Sequence, residues 1–453
     1  MVKDLTHGEP IKLMLIFSIP LLIGNIFQQF YNIADIIIVG RTLGMDALAA
    51  VGAVSPLFFL IMFIVIGLTN GFAVITGQRF GAKNYDGVRR SVTISTVLSY
   101  IFTIIFALSC SIFLPKILTL MNVPSEIFRN AYWYTLICIV GLLITNCYNL
   151  LASVIRALGD SLTPLYALII ASVVNIILAL VFIIVFKWGV PGSAVALILS
   201  QGISGVLCIA YIKYKMPILH LSRRDWLFTK EDLPFALEHL RVGIPMALQF
   251  AIIGTGILII QAVCNSFGAD VIASFTASLR IEQIAVLPMV TFGIALSAFV
   301  AQNYGAGYFS RIRTGVKKAS LINFVLSIFM AFVMHTWGAD FVRLFIGAGN
   351  ENIVKLAHSY LFISSLFYFF IAQIFIYRNA LQGLGRPVIP LIASLGELIV
   401  RSFFAIYLAG LIGYYSVFYA GPISWVTAGI VVAIGYYTTI NKFLRESQKE
   451  LKS

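Results

Sequence analysis

Twelve apolar stretches, each long enough to cross a bilayer, follow one another from residue 13 to residue 440. A helix crossing the hydrocarbon core needs about 20 mostly apolar residues, and in lipid it must satisfy its backbone hydrogen bonds internally. The stretches lie near 13–38, 48–76, 91–113, 131–154, 165–186, 191–212, 242–264, 271–300, 317–337, 356–377, 388–412 and 416–440. Only 11% of the 453 residues are charged and 60% are hydrophobic, whereas soluble domains carry about 25% charge. The pattern predicts an all-α membrane protein of twelve transmembrane helices. Lys3 and Lys12 precede the first apolar run as in a signal peptide, but that run continues past Asp35 without a cleavage pattern and reads as an uncleaved span.

The formal charge of +13 would point a soluble chain toward nucleic acid. Its distribution follows topology instead. With the N-terminus placed in the cytoplasm, 23 of the 31 Lys and Arg fall on the cytoplasmic side. Six (Arg41, Lys116, Arg129, Lys187, Arg343, Lys355) fall outside, and Arg280 and Arg401 lie within spans. This asymmetry predicts a multi-pass protein of the cell membrane with both termini cytoplasmic. Its basic excess would attract anionic lipid headgroups, and no nucleic-acid partner is expected.

An internal repeat organises the spans. Ser18-Ile19-Pro20 returns as Gly243-Ile244-Pro245 at an offset of 225, and Leu43-Gly44 as Phe267-Gly268 at 224. Gln78-Arg79-Phe80-Gly81-Ala82 returns as Gln302-Asn303-Tyr304-Gly305-Ala306 at 224, Val88-Arg89-Arg90 as Val316-Lys317-Lys318 at 228, and Pro164 as Pro390 at 226. Five matches in register indicate a duplicated six-helix unit. Six being even, the copies share one orientation, so two pseudo-symmetric bundles related as parallel repeats are expected. The predicted lobes are residues 1–212 and 242–453, joined by a cytoplasmic linker over 213–241 that includes a short surface helix. Pro20, Pro245, Pro56 and Pro288 are candidate kinks, and Gly67 with Gly71 forms a small-xxx-small pair for close helix packing.

No HExxH, Walker loop, CxxC or GxSxG pattern occurs, so neither enzymatic activity, a cofactor nor a metal site is expected. His7, His220 and His239 are assigned to the cytoplasmic side, and His335 and His358 flank an outer loop. Cys110, Cys138, Cys147, Cys208 and Cys264 fall within spans as small apolar fillers.

Three acidic residues fall inside the spans: Asp35, Glu282 and Glu397. Charge at bilayer depth is costly and demands a partner or a purpose. Arg401 lies four residues after Glu397, on the same helix face, and suits an ion pair. Arg280 lies two residues before Glu282, a spacing at which side chains do not meet, so any pairing there must cross helices. Asp35 has no basic residue in the spans of its own lobe; Gln28, Tyr31 and Asn32 share its helix face, and Asn175 is a further buried polar candidate. Such a carboxylate is stable either protonated or neutralised by a bound cation, which suits coupling to H+ or Na+. The repeat sharpens this, because offsets of 224–225 from Asp35 reach Ile259 or Ile260, and an offset of 226 from Asn175 reaches Arg401. The 36 Phe and 20 Tyr supply walls compatible with a lipophilic or cationic substrate.

These features resemble the multidrug and toxic compound extrusion (MATE) family. The resemblance rests on Ser18-Ile19-Pro20 through Asn32-Ile33-Ala34-Asp35 and Gly40, on Gln78…Gly81-Ala82 with its copy at 302–306, on Arg156-Ala157-Leu158-Gly159-Asp160 with Gln382-Gly383-Leu384-Gly385-Arg386, and on Arg280-Ile281-Glu282. It implies an antiporter exporting organic, often cationic, compounds against H+ or Na+ by alternating access. Asp35 would be the ion or proton site, with Gln28, Asn32 and Asn175 beside it. Tyr31, Arg280, Glu282, Glu397 and Arg401 become candidates for the substrate cavity. One chain supplies both lobes and is expected to work as a monomer among membrane lipids.

The sequence departs from the family pattern in two places. Ala179 stands where many relatives carry an acid after the fifth-span asparagine, and no acid lies between Val242 and Cys264. A one-acid site offers few oxygen ligands for Na+ and favours H+. A flippase for lipid or lipid-linked oligosaccharide is the alternative on this scaffold, but it would line its cavity with more cationic residues than Arg280 and Arg401. A channel is a third class, and it would show no dependence on ion gradients.

Overall fold

The computed structural model of the protein describes residues 3–346 and 350–450, and the side chains of Tyr31, Asn32, Glu231, Phe345 and Glu450 lie outside the described set. In chain order the helices are α1 (Pro10–Leu43), α2 (Met45–Gly81), α3 (Tyr85–Leu120), α4 (Ser125–Val140), α5 (Leu142–Ala157), α6 (Leu162–Leu180), α7 (Val190–Lys215) and α8 (Leu233–Cys264). They continue as α9 (Ala269–Gly305), α10 (Phe309–Ile346), α11 (Glu351–Ser365), α12 (Tyr368–Gly383), α13 (Val388–Ser402), α14 (Ala409–Ile412) and α15 (Tyr415–Glu450). Among the described residues ten single helices, three of them extended by a short non-α turn, are long and apolar enough to cross a membrane, and two bent pairs bring the spans to twelve.

Those bent pairs correct the sequence reading, which drew the fourth and tenth spans as single helices. The α4–α5 pair bends by 46° and the α11–α12 pair by 52°. At the first break stands Gly141, where a Cβ would lie 2.2 Å from the Ile198 side chain of α7. At the second, the Ser365 hydroxyl donates to the Phe362 carbonyl at 2.8 Å, occupying an acceptor of the last α11 turn. By contrast, α1, α2, α8 and α9 run on through Pro20, Pro56, Pro245 and Pro288.

The breaks themselves repeat, as do other backbone details. Both α2 and α9 have 37 residues and start after a glycine with φ near 90°, Gly44 and Gly268. A side chain there would be strained, so each glycine fixes where its helix begins. Short π-helical segments, Val181–Val185 and Phe403–Tyr407, extend α6 and α13 at matching points.

The chain divides into two compact units: Met1–Asp4 with Ile19–Ala247, and Leu5–Ser18 with Leu248–Ser453. Both boundaries fall inside helices, α1 and α8, close to Pro20 and Pro245. In the N-terminal unit Gly67 and Gly71 do admit a close neighbour. A Cβ on Gly71 would lie 2.6 Å from Gly243 Cα, and one on Gly67 would lie 2.8 Å from the Met246 carbonyl oxygen. In the C-terminal unit Leu5 is held by its own backbone: its N–H donates to Gln302 Oε1 at 2.8 Å, and its carbonyl accepts from Asn303 Nδ2 at 3.1 Å. Without a hydrophobic drive between helices in lipid, such close packing and buried hydrogen bonds carry the association.

Between α7 and α8 stand three single 3₁₀ turns, Pro217–Leu219, Arg223–Trp226 and Lys230–Asp232, and α8 itself begins at Leu233 within the span read as linker. Two close on capping boxes, Ser222 with Asp225 and Thr229 with Asp232. Arg90 clasps this segment, donating to the Asp232 carboxylate and to the Asp225 and Leu227 carbonyls at 2.6 and 2.9 Å. His239 is fully buried inside α8, with Nε2 2.8 Å from Ser91 Oγ.

Candidate functional site

In the N-terminal unit the polar centre is built from α1, α6 and α7. The turn at Gly189, with φ 63°, and Pro191 start α7 so that Ser193 falls in its first turn. The Ser193 hydroxyl donates to Asp35 Oδ1 at 3.1 Å, and Asp35 is half-buried. Among the described residues no Lys or Arg pairs with it. Ile38, one turn after Asp35, packs on the apolar cluster of Ala179, Phe182 and Ala196. Asn175 lies one turn before Ala179. The first and fifth spans of a unit run the same way, so Asp35 and Asn175 occupy corresponding levels beside that cluster.

Asn175 is fully buried, and neither its amide oxygen nor its amide nitrogen has a hydrogen-bond partner among the described residues. An unmade bond of this kind costs about 1–3 kcal/mol per group, and a water or an ion would relieve it. Gln28 is exposed. Tyr31 and Asn32 have side chains outside the described set. Among the described residues no group of three or more His, Cys, Asp or Glu is arranged to hold a metal ion.

The C-terminal unit gathers more charge. Glu282 of α9 is buried and accepts from the Tyr360 hydroxyl of α11 at 2.9 Å, while its other oxygen has no hydrogen-bond partner among the described residues. On α13, Arg401 bonds to Glu397, the pairing that the four-residue spacing predicts. Arg401 also lies against α8, where a Cβ on Gly256 would be 3.0 Å from Nη1. The second oxygen of Glu397 faces Arg378 of α12 at 3.6 Å.

Arg378 is the residue that the sequence analysis missed. The apolar pattern ends the tenth span at residue 377 and places Arg378 in a loop. In the structure α12 runs on to Gly383, and the Arg378 side chain is only 13% exposed. The signal was Glu397 itself, since a buried acid beside one arginine can recruit another. Arg280, expected to balance the acids of this lobe, is exposed instead. The cluster thus holds two Glu and two Arg, with Arg378 in the place expected for Arg280.

The motif at 156–160 closes α5 and turns the chain into α6. Asp160 Oδ1 accepts from the Leu162 and Thr163 N–H groups at 3.0 and 3.1 Å, and Oδ2 accepts from the Tyr211 hydroxyl at 2.7 Å. Burial opposes the charged form, but these bonds outweigh it and hold the carboxyl below its ordinary value.

Comparison with known proteins agrees with this architecture. A family model described as MatE matches residues 20–181 and 245–408, one match in each half. The probable multidrug resistance protein YpnP of Bacillus subtilis is 30% identical over 394 residues, covering 86% of each chain. The probable multidrug resistance protein YoeA of the same organism is 26% identical over 386 residues, 84% of this chain and 83% of that one. The solved structure of an outward-facing multidrug resistance MATE family transporter of the MOP superfamily superposes with a TM-score of 0.88 at 24% identity, covering 97% of this chain and 98% of the other. At that identity the structural likeness speaks for the fold.

Proposed function

Since the chain belongs to the MatE family of multi-pass membrane transporters and is not an enzyme, we propose that it is a secondary antiporter. It exports organic, lipophilic or cationic compounds and takes H+ or Na+ in exchange. Two lobes, residues 1–212 and 242–453 joined by 213–241, alternate access, and Asp35 carries the coupling ion.

The observation that carries this reading is Asp35 itself. Its recorded side-chain partner is a neutral hydroxyl, and Asn175 at a corresponding level has a free amide. A carboxylate in such surroundings is neutralised by a proton or a cation and becomes charged again when that ligand leaves. With Ala179 in place of an acid, the site has one carboxylate and few oxygens, which favours H+ over Na+. The positive-inside distribution supports cytoplasmic termini in the cell membrane.

The test uses proteoliposomes preloaded with a fluorescent lipophilic cation, with the membrane potential clamped. A pH gradient and a Na+ gradient are imposed separately on the wild type and on Asp35→Asn. Movement driven by one gradient and lost in the variant identifies the ion and its site. Undiminished gradient-driven movement in Asp35→Asn rejects the assignment.

A further inference from the structure

On the C-terminal unit a groove of about 1130 Å³ is walled by α10, α12 and α15. Its chemistry changes in order along its length. At one end of α10 stand Arg313, Lys317 and Lys318, all exposed. Lys318 pairs with Glu9 at 3.1 Å, while Arg313 and Lys317 have no acidic partner among the described residues. No acidic residue lines the groove.

Next comes a polar shelf. Ser320 Oγ donates to Gln373 Oε1 at 2.6 Å, and the Tyr377 hydroxyl lies 3.3 Å from that of Tyr437. Beyond it the walls turn apolar, with Leu321, Phe324, Phe369 and Ile430 between 38 and 62% exposed. The two long walls agree in direction. Along α10 the order is 313–318, 320, then 321 and 324; along α12, which runs the opposite way, it is 377, 373, then 370 and 369. From Arg313 to Phe324 a helix rises about 16 Å, close to the half-thickness of the hydrocarbon core.

We propose that this groove binds one anionic phospholipid, lying lengthwise. Arg313 and Lys317 take the phosphate, the Ser320–Gln373–Tyr377 shelf meets the glycerol esters, and an acyl chain runs along Phe324, Phe369, Phe370 and Ile430. The three zones match a diacyl lipid in order and in length. Hydrocarbon covers the exposed apolar wall, and the uncompensated positive charge selects an anionic head over a zwitterionic one.

A second groove provides an internal reference. It lies in the N-terminal unit, has a volume of about 980 Å³, and is lined by one acid, Asp4, and one base, Lys215. It lacks an uncompensated basic rim and is expected to make no such selection. The inference is independent of what the protein transports and of the role of Asp35.

The full-length protein, purified in detergent and delipidated, is mixed with equal amounts of phosphatidylglycerol and phosphatidylcholine of identical acyl chains. Bound lipid is then counted by native mass spectrometry. The wild type is expected to retain one phosphatidylglycerol under activation that strips phosphatidylcholine. Arg313→Gln with Lys317→Gln should lose that preference. Gly429→Leu should lose the retained lipid with every charge in place, because a Cβ there makes only ordinary contacts, 3.6 Å from the Phe370 carbonyl oxygen, while the longer side chain fills the groove. Lys213→Gln with Lys215→Gln removes as much charge elsewhere and should leave retention unchanged. Retention that survives in the Arg313/Lys317 variant, or that falls equally in the Lys213/Lys215 variant, overturns the site. Size-exclusion profiles and melting curves exclude misfolding in each case.

Discussion

In the N-terminal unit the Asp35 carboxylate meets a serine hydroxyl at 3.1 Å, while in the C-terminal unit Glu397 is shared between the guanidinium groups of Arg401 and Arg378. These sites stand on copies of one scaffold, with the same span breaks and the same glycine-started α2 and α9. The difference lies in where charge is neutralised. The second copy settles it internally, and Arg401 occupies the position that corresponds to Asn175. In the first copy the acid has a serine hydroxyl, and the Asn175 amide has no hydrogen-bond partner among the described residues. The repeated frame is kept while the polar interior differs, an isolated acid in one lobe and an ion-pair network in the other.

The sharpest way to break this contrast is to remove each acid in turn. Asp35→Asn should abolish gradient dependence of export while leaving the melting temperature unchanged or raised, because a neutral amide replaces a carboxylate with no basic partner among the described residues. Glu397→Ala should do the reverse to stability. It leaves two guanidinium groups buried against each other, and breaking a buried pair in this way costs about 3–5 kcal/mol. Thermal unfolding in detergent separates the two. If Glu397→Ala melts with the wild type, the C-terminal cluster is not an ion-pair network.

A third variant tests the packing side of the comparison. Gly71 and Gly243 bring α2 and α8 together, whereas the matching positions of the second copy hold Ala295 and Ser18. Gly71→Ala should therefore destabilise the N-terminal unit by about 1–3 kcal/mol, as overpacking does. The obstacle is the Gly243 backbone, which has no rotamer to change. Melting that matches the wild type would mean that α8 can withdraw from α2 freely.

Much of this frame was legible in the sequence because length and apolarity are set by the bilayer. Twelve spans, the Gly67/Gly71 contact and the Glu397–Arg401 pair follow from local spacing, and the duplication from matches at a constant offset of 224–228 residues. What stayed hidden depends on neighbours distant in the chain. Gly141 breaks its span because Ile198 needs the room, and no local pattern marks the matching break after Ser365. Arg378 looked like a loop residue because charge was used to end the span, although a partner on α13 makes burial tolerable. The burial of His239 likewise depends on Ser91, 148 residues away in the chain. Of the candidate site, Asp35 and Asn175 were readable as isolated polar residues in apolar runs. Ser193 was not, since serine in a span carries no signal of its own.

The smallest effect is expected where the two copies tether the segments ahead of α1 and α8. Arg90 grips Asp232 with both side chains under 20% exposed, whereas Lys318 meets Glu9 with both near 50%. The hydrogen bond from Arg90 holds the Asp232 carboxyl down at about 2, against about 3.9 in an unfolded chain. A depressed folded value means that the pair's contribution is full above about pH 4 and is lost as pH falls toward 2. Asp232→Asn should accordingly lower stability at neutral pH by less than about 1 kcal/mol, and its melting curve should converge on that of the wild type across that acid window. Glu9→Gln, at the exposed tether, should produce no measurable shift at any pH. A gap for Asp232→Asn that stays constant down to pH 2 would show that Arg90 holds the linker through the Asp225 and Leu227 carbonyls alone, and would remove this asymmetry between the copies.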